Sequence, residues 1–127
     1  MTNSVEELMT EIAKAFFGEC GNALSANISV KMLWEYAELD AIWYDHRGSG
    51  TPFVTETSLS PLFERLREAM YNADPTNGAW FVAKLTINSQ GNYGYDFDYE
   101  DLSQFDLQPT EKELAEDLKR FPRAGSR

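Results

Sequence analysis

Cysteine and histidine each occur once in these 127 residues, at Cys20 and His46. A single cysteine excludes an intrachain disulfide. His46 sits in the Gly-rich run His46-Arg47-Gly48-Ser49-Gly50, with no identifiable catalytic partner, and reads as a solvated side chain. Cys20 near a helix end, without a histidine motif, reads as a half-buried inert thiol. No apolar run approaches the ~20 residues of a membrane span and no secretory apolar segment is present, so the expected setting is soluble and cytoplasmic. Walker and Gly-x-Gly-x-x-Gly loops are missing, as is any basic patch. Basic residues are scarce, 11 against 21 acidic ones, for a formal net charge of −10. That field repels nucleic acid and anionic lipid and speeds encounter with cationic proteins, although acidity also serves plain solubility.

What the chain does contain is enough apolar material for a core, at 43% hydrophobic and 13% aromatic. Its length suits one domain, expected over residues 1–123, with 124–127 a flexible tail. The pattern predicts an α+β fold: an antiparallel sheet of four to five strands with helices on one face, in the order α-β-β-(β)-α-β-β-α.

The helices carry local signals. Ser4 with Glu7 forms a capping box ahead of Val5, Leu8, Met9, Ile12, Ala13, Phe16 and Phe17 at helical spacing, and Gly18 and Gly21 mark the end. Ser60-Pro61 is expected to open the second helix, with Leu62, Phe63, Leu66, Ala69 and Met70 as its apolar stripe. Thr110 and Glu113 form another capping box before Leu114, Ala115, Leu118 and Phe121. From Asn27 the period is two, which predicts a strand running through Trp34 to Tyr36, a link over Ala37–Asp40, and a strand over Ala41–Asp45. Thr51–Thr57 is a candidate short strand.

Residues Gly91 to Asp101 are the most informative stretch. Aromatic and acidic side chains alternate there, which in a strand puts rings on one face and carboxylates on the other. A three-residue loop, Ser89-Gln90-Gly91, pairs Asn88 with Asn92 and uses Gly91 in the left-handed region. Ile87 then faces Tyr93, Leu85 faces Tyr95, Ala83 faces Phe97 and Phe81 faces Tyr99. Continuing the alternation turns Lys84, Val82 and Trp80 outward, opposite Asp96, Asp98 and Glu100.

Side chains two apart on a strand lie about 6.5–7 Å apart, near the phosphate spacing of a nucleic-acid strand. The carboxylate row can therefore fit a cleft that normally holds a phosphate backbone. The predicted contact residues are Trp80, Asp96, Asp98, Glu100, Asp101 and Asp106, with Trp80 as apolar anchor. The competing reading is a solvated sheet face with Trp80 packed under the last helix. Asp96-x-Asp98-x-Glu100 resembles the start of a calcium loop, but Asp101 stands where that loop needs Gly and Leu107 where it needs Glu. No cofactor, no metal site and no enzymatic activity are expected.

The hairpin and the end of the chain resemble the YezG-like immunity proteins of bacterial polymorphic toxin systems. The residues carrying the resemblance are Trp80, Gly91, Tyr93, Asp96, Phe97, Asp98 and Tyr99, then Asp117, Leu118, Phe121, Pro122 and Arg123. This chain departs from the family in ending shortly after Arg123, where many relatives continue with Pro and Trp. The resemblance implies a small acidic α+β protein that binds and neutralises a cognate toxin domain, often a nuclease, in a 1:1 complex. An alternative from the residues alone is a small-molecule or peptide-binding domain with an aromatic pocket around Trp34, Tyr36 and Trp43. A minor enzyme with carboxylate chemistry is a third reading.

Overall fold

Ser4 begins the first helix as expected: its Oγ accepts the Glu7 N–H at 3.1 Å, satisfying one of the free donors of the first turn. In the computed structural model, residues 4–21, 23–55, 58–100 and 102–123 are described. The elements are α1 (Val5–Glu19), β1 (Ser25–Leu33), β2 (Tyr36–Tyr44), β3 (Gly50–Phe53), α2 (Leu59–Ala73), β4 (Val82–Asn88), β5 (Tyr93–Asp98) and α3 (Glu111–Arg120). The five strands form one antiparallel sheet in the order β3-β2-β1-β4-β5. The α+β expectation holds. Among the described residues no helix is long and apolar enough to cross a membrane.

The main core lies between one sheet face and the two long helices. Leu8, Ile12 and Phe16 of α1 and Leu59, Phe63 and Leu66 of α2 meet Ala26, Ile28 and Val30 of β1 and Ala83, Leu85 and Ile87 of β4. A second, smaller cluster of Leu33, Phe81, Val82 and Phe105 gathers Trp34, Tyr36, Leu102 and Leu114 around it. The segment after β5 thereby covers part of the outer face.

The loop joining β4 to β5 has the expected register. Ile87 pairs with Tyr93, Leu85 with Tyr95 and Ala83 with Phe97. Asn88 donates to the Asn92 carbonyl, and Gly91 takes φ +84°, where an L side chain is strained. The capping box at Thr110 forms in full.

Three expectations need correction. The first strand does not run to Tyr36: β1 and β2 are a hairpin turning on Trp34 and Glu35, and residues 37–40 lie inside β2. Trp34 makes that turn at φ +56°, so no Gly, Asn or Pro announces it in the sequence. Secondly, α2 starts at Leu59 after Ser58, and Ser60-Pro61 falls inside its first turn, where Pro61 sacrifices no helical hydrogen bond.

The third correction concerns Trp80. The strict alternation breaks at the entry to β4. Val82 is the ladder partner of Asp98, yet the Phe81 N–H also donates to the Asp98 carbonyl at 2.8 Å. Two residues oppose one, the arrangement of a β-bulge. Phe81 and Val82 therefore both join the second cluster, and Trp80 is returned to the main core at 0% exposure. Trp80 is not outward and does not face Glu100. Its ring packs against Phe97, 5.8 Å between centroids.

Candidate functional site

β5 separates its side chains as the alternation requires. On the helix side Tyr93, Tyr95 and Phe97 form a continuous file, with centroids 5.9 Å apart for the first pair and 5.7 Å for the stacked second pair. The Tyr95 hydroxyl donates to the Met9 carbonyl at 2.7 Å, and burial pushes its pKa upward. This anchors the strand to α1. On the other side Asp96 stands opposite Lys84 and Asp98 opposite Val82. Carboxylates on a strand fixed from beneath lose little freedom when a partner arrives.

Asp96 and Glu100 are exposed, and Asp98 is half-buried. The strand ends at Asp98, so strand spacing applies to Asp96 and Asp98 alone. Asp98 Oδ1 accepts the Glu100 N–H at 2.9 Å, and Glu100 belongs to the turn that follows. Asp101 lies outside the described residues. Asp106 is exposed but does not extend the β5 row. Its backbone N–H donates to Glu38 Oε1 at 2.9 Å, which sets it beside β2 at the far side of the outer face.

The anionic surface is thus two banks with cations between them. Lys31, 8% exposed, lies on central β1 with its Nζ 3.3 Å from Asp40 and 3.9 Å from Glu38. Lys84 occupies the neighbouring strand. Between the banks is a concavity of about 540 Å³ lined by Asn27, Ser29, Lys31, Lys84, Asp96 and Gln104. The linear sequence concealed Lys31, which is more than fifty residues away from the hairpin along the chain.

Glu38 ties the segment after β5 to the sheet. Its carboxylate accepts the Asp106 and Leu107 N–H groups, each at 2.9 Å, and the Tyr36 hydroxyl. Burial alone would raise its pKa. The Leu107 N–H, the Tyr36 hydroxyl, the Asp106 N–H and Lys31 outweigh that and hold it below the ordinary carboxylate range. The same bond, followed by burial, pushes the Tyr36 hydroxyl up to about 12. Glu38, Asp40 and Asp106 have carboxylate oxygens within 4.8 Å of one another, but the Glu38 oxygens already carry these donors.

A lowered folded pKa means that Glu38 stabilises the closed segment above its unfolded value, about 4.3, and ceases to do so as pH falls through the folded value. Acidification to below the ordinary carboxylate range is therefore expected to release the Asp106 and Leu107 amides. Glu38→Gln should reproduce that at neutral pH, lowering their protection in amide exchange about tenfold. Equal protection in the variant would remove Glu38 from this role.

The expected aromatic pocket is only partly assembled. Trp34 and Tyr36 border a cleft of about 250 Å³ with Met32, Ser60, Arg67 and Arg120. Trp43 is elsewhere, on the helix-facing side of β2 against the main core. Cys20 donates its thiol to the Phe16 carbonyl, and burial followed by the nearby Glu19 raises its pKa to about 11, as an inert thiol requires.

Sequence reasoning missed the buried pair at the rear of this cleft. Arg67 and Asp117, 3% and 1% exposed, meet in a bidentate contact with both N–O distances 2.8 Å. Arg67 Nε donates to the Trp80 carbonyl at 2.6 Å, and Asp117 Oδ1 also accepts the Trp34 N–H at 2.7 Å. A signal existed. Arg67 sits among Phe63, Leu66 and Met70, and Asp117 between Leu114 and Phe121, so both are charges at stripe positions.

The closing Phe121-Pro122-Arg123 is structural here. Tyr71 donates to the Pro122 carbonyl and Arg123 to the Tyr99 carbonyl. Gly78, at φ +79°, leaves room for this: a Cβ there would lie 2.8 Å from Arg123 Cγ. Compared with known proteins, the chain matches no protein-family model and no curated protein.

Proposed function

We propose that this chain is an immunity protein, which binds a basic toxin domain through the outer face of its sheet and so neutralises it. A nuclease is the toxin class whose cationic substrate cleft such a face would fit. The observation that carries the reading is the position of Asp96 and Glu100. Both are exposed, at the edge of a sheet whose strand is pinned from below by stacked rings. The net charge of −10 acts in the same direction, accelerating encounter with a cation-rich surface. The likeness of the hairpin and the Phe121-Pro122-Arg123 closure to YezG-like proteins supports the same role.

The test is co-expression with the basic domain encoded beside this chain, reading restored growth and a 1:1 complex. Persistent toxicity despite folded protein would sink the proposal. The interface is tested by Asp96→Lys with Glu100→Lys, since Asp98 also caps a turn and its reversal would disturb the hairpin. Association is expected to slow about tenfold at low salt, with the difference shrinking at high salt. An unchanged rate would move the interface off this face.

The cleft beside Trp34 supports a second reading, a domain that takes a small molecule or peptide there. Trp34 is held in a left-handed conformation by a buried carboxylate, and such strain clusters at functional sites. Saturable quenching of indole fluorescence, lost in Trp34→Phe, would favour this reading.

A further inference from the structure

With Trp80 in the core, the acidic face lacks the apolar anchor that tight interfaces use. A groove of about 440 Å³ beside Glu100 can supply it. Phe81 lies at the lining's buried end, Leu102 and Leu114 are half-buried, and Leu118 and Pro122 are exposed, Leu118 at 37%. Leu118 follows Leu114 by one helical turn, so α3 offers a short apolar ridge to this groove.

Acidic groups outnumber basic ones around the groove, two to one. Glu100 forms part of the rim, and Glu111 lies on the same side of α3, three residues before Leu114. Arg123 also borders the groove, but its guanidinium donates to the Tyr99 carbonyl and lies over the Phe81 ring at 5.7 Å. Both contacts turn the guanidinium inward but leave its positive charge in place, so it offsets one of the two carboxylates, Glu100 and Glu111. An apolar floor with an anionic rim matches an apolar side chain flanked by Lys or Arg, and disfavours one flanked by carboxylates.

We infer that this groove receives an apolar side chain from the basic partner, set between cationic residues that reach Glu100 and the β5 carboxylates. The inference rests on the binding role proposed above and deepens it by naming the anchor site.

The test uses the full chain, isotopically labelled, titrated at low salt with three short peptides. One alternates Lys and Leu, one replaces its Leu by Gly, and one replaces its Lys by Glu. The Lys/Leu peptide is expected to shift the methyl resonances of Leu102, Leu114 and Leu118 together with the Asp96 and Glu100 amides. The other two should leave the methyls still. Leu118→Gln, at a part-exposed site that tolerates polarity, should weaken the Lys/Leu peptide about tenfold while the Gly peptide is unaffected. Silent methyls with shifting amides for both Lys peptides would overturn the groove and leave the acidic face intact. Methyl shifts of equal size with the Glu/Leu peptide would overturn the charge selection. Still amides with every peptide would count against the acidic face itself and against this inference with it.

Discussion

Asp117→Ala is expected to destabilise the protein by about 3–5 kcal/mol, the cost of leaving a buried guanidinium without its counter-charge. The magnitude follows from the surroundings. Arg67 is 3% exposed and has both Nη atoms on Asp117, so water cannot replace the lost carboxylate. The same substitution frees the Trp34 N–H, which the carboxylate holds at 2.7 Å. Trp34 at φ +56° is a conformation that costs about 1–3 kcal/mol and persists only where its surroundings enforce it. The hairpin tip should therefore loosen together with the α2–α3 contact. Denaturant melts of Asp117→Ala, Arg67→Met and the double variant check this. The double variant should recover much of the loss, because replacing both charges with apolar groups removes the desolvation penalty on each side. A loss below about 1 kcal/mol in the single variant would mean that solvent reaches the pair.

Trp80→Ala should cost about as much, 3–5 kcal/mol by the usual scale for emptying a large aromatic site. Trp80→Phe separates packing from polarity. The indole Nε1 is the buried side-chain nitrogen or oxygen without a hydrogen-bond partner among the described residues, so its ring forgoes a bond that phenylalanine never needs. Phe should thus cost less than half of what Ala costs, since relief of the unpaired donor offsets part of the lost volume. Partner affinity of the folded Trp80→Phe protein should equal that of the parent. A selective loss of affinity at unchanged stability would return Trp80 to the interface and would contradict its burial.

These two sites also tie the anionic face to the core. The Trp80 carbonyl is bonded to Arg67, and the Trp80 ring lies against Phe97 on β5. The chain of contacts therefore runs from α3 through Asp117 and Arg67 to the strand that carries Asp96. Loss of the buried pair should be felt on the face as lower amide protection along β5, while reversal of Asp96 and Glu100 should leave the pair untouched. Stability and binding variants can thus be told apart by which readout moves.

By itself, the sequence determined what depends on a few neighbouring residues. Ser4 and Thr110 cap their helices because a side-chain oxygen needs only the N–H three residues on. The loop from Asn88 to Asn92 turns on the tolerance of Gly91 for positive φ, and the two-residue period then aims Asp96 and Asp98 away from the rings. What depends on a partner across the fold was decided by tertiary structure alone. A bulge opposite Asp98 reverses the phase at Phe81 and carries Trp80 inward, because the second cluster offers both Phe81 and Val82 an apolar place. Asp117 becomes a buried ligand of Arg67, 50 residues away, and of a turn that no glycine marks. Lys31 comes between the acidic banks because β1 is the central strand. In each case the deciding neighbour is distant in sequence, and hydrophobic period and capping chemistry carry no information beyond a few turns of chain.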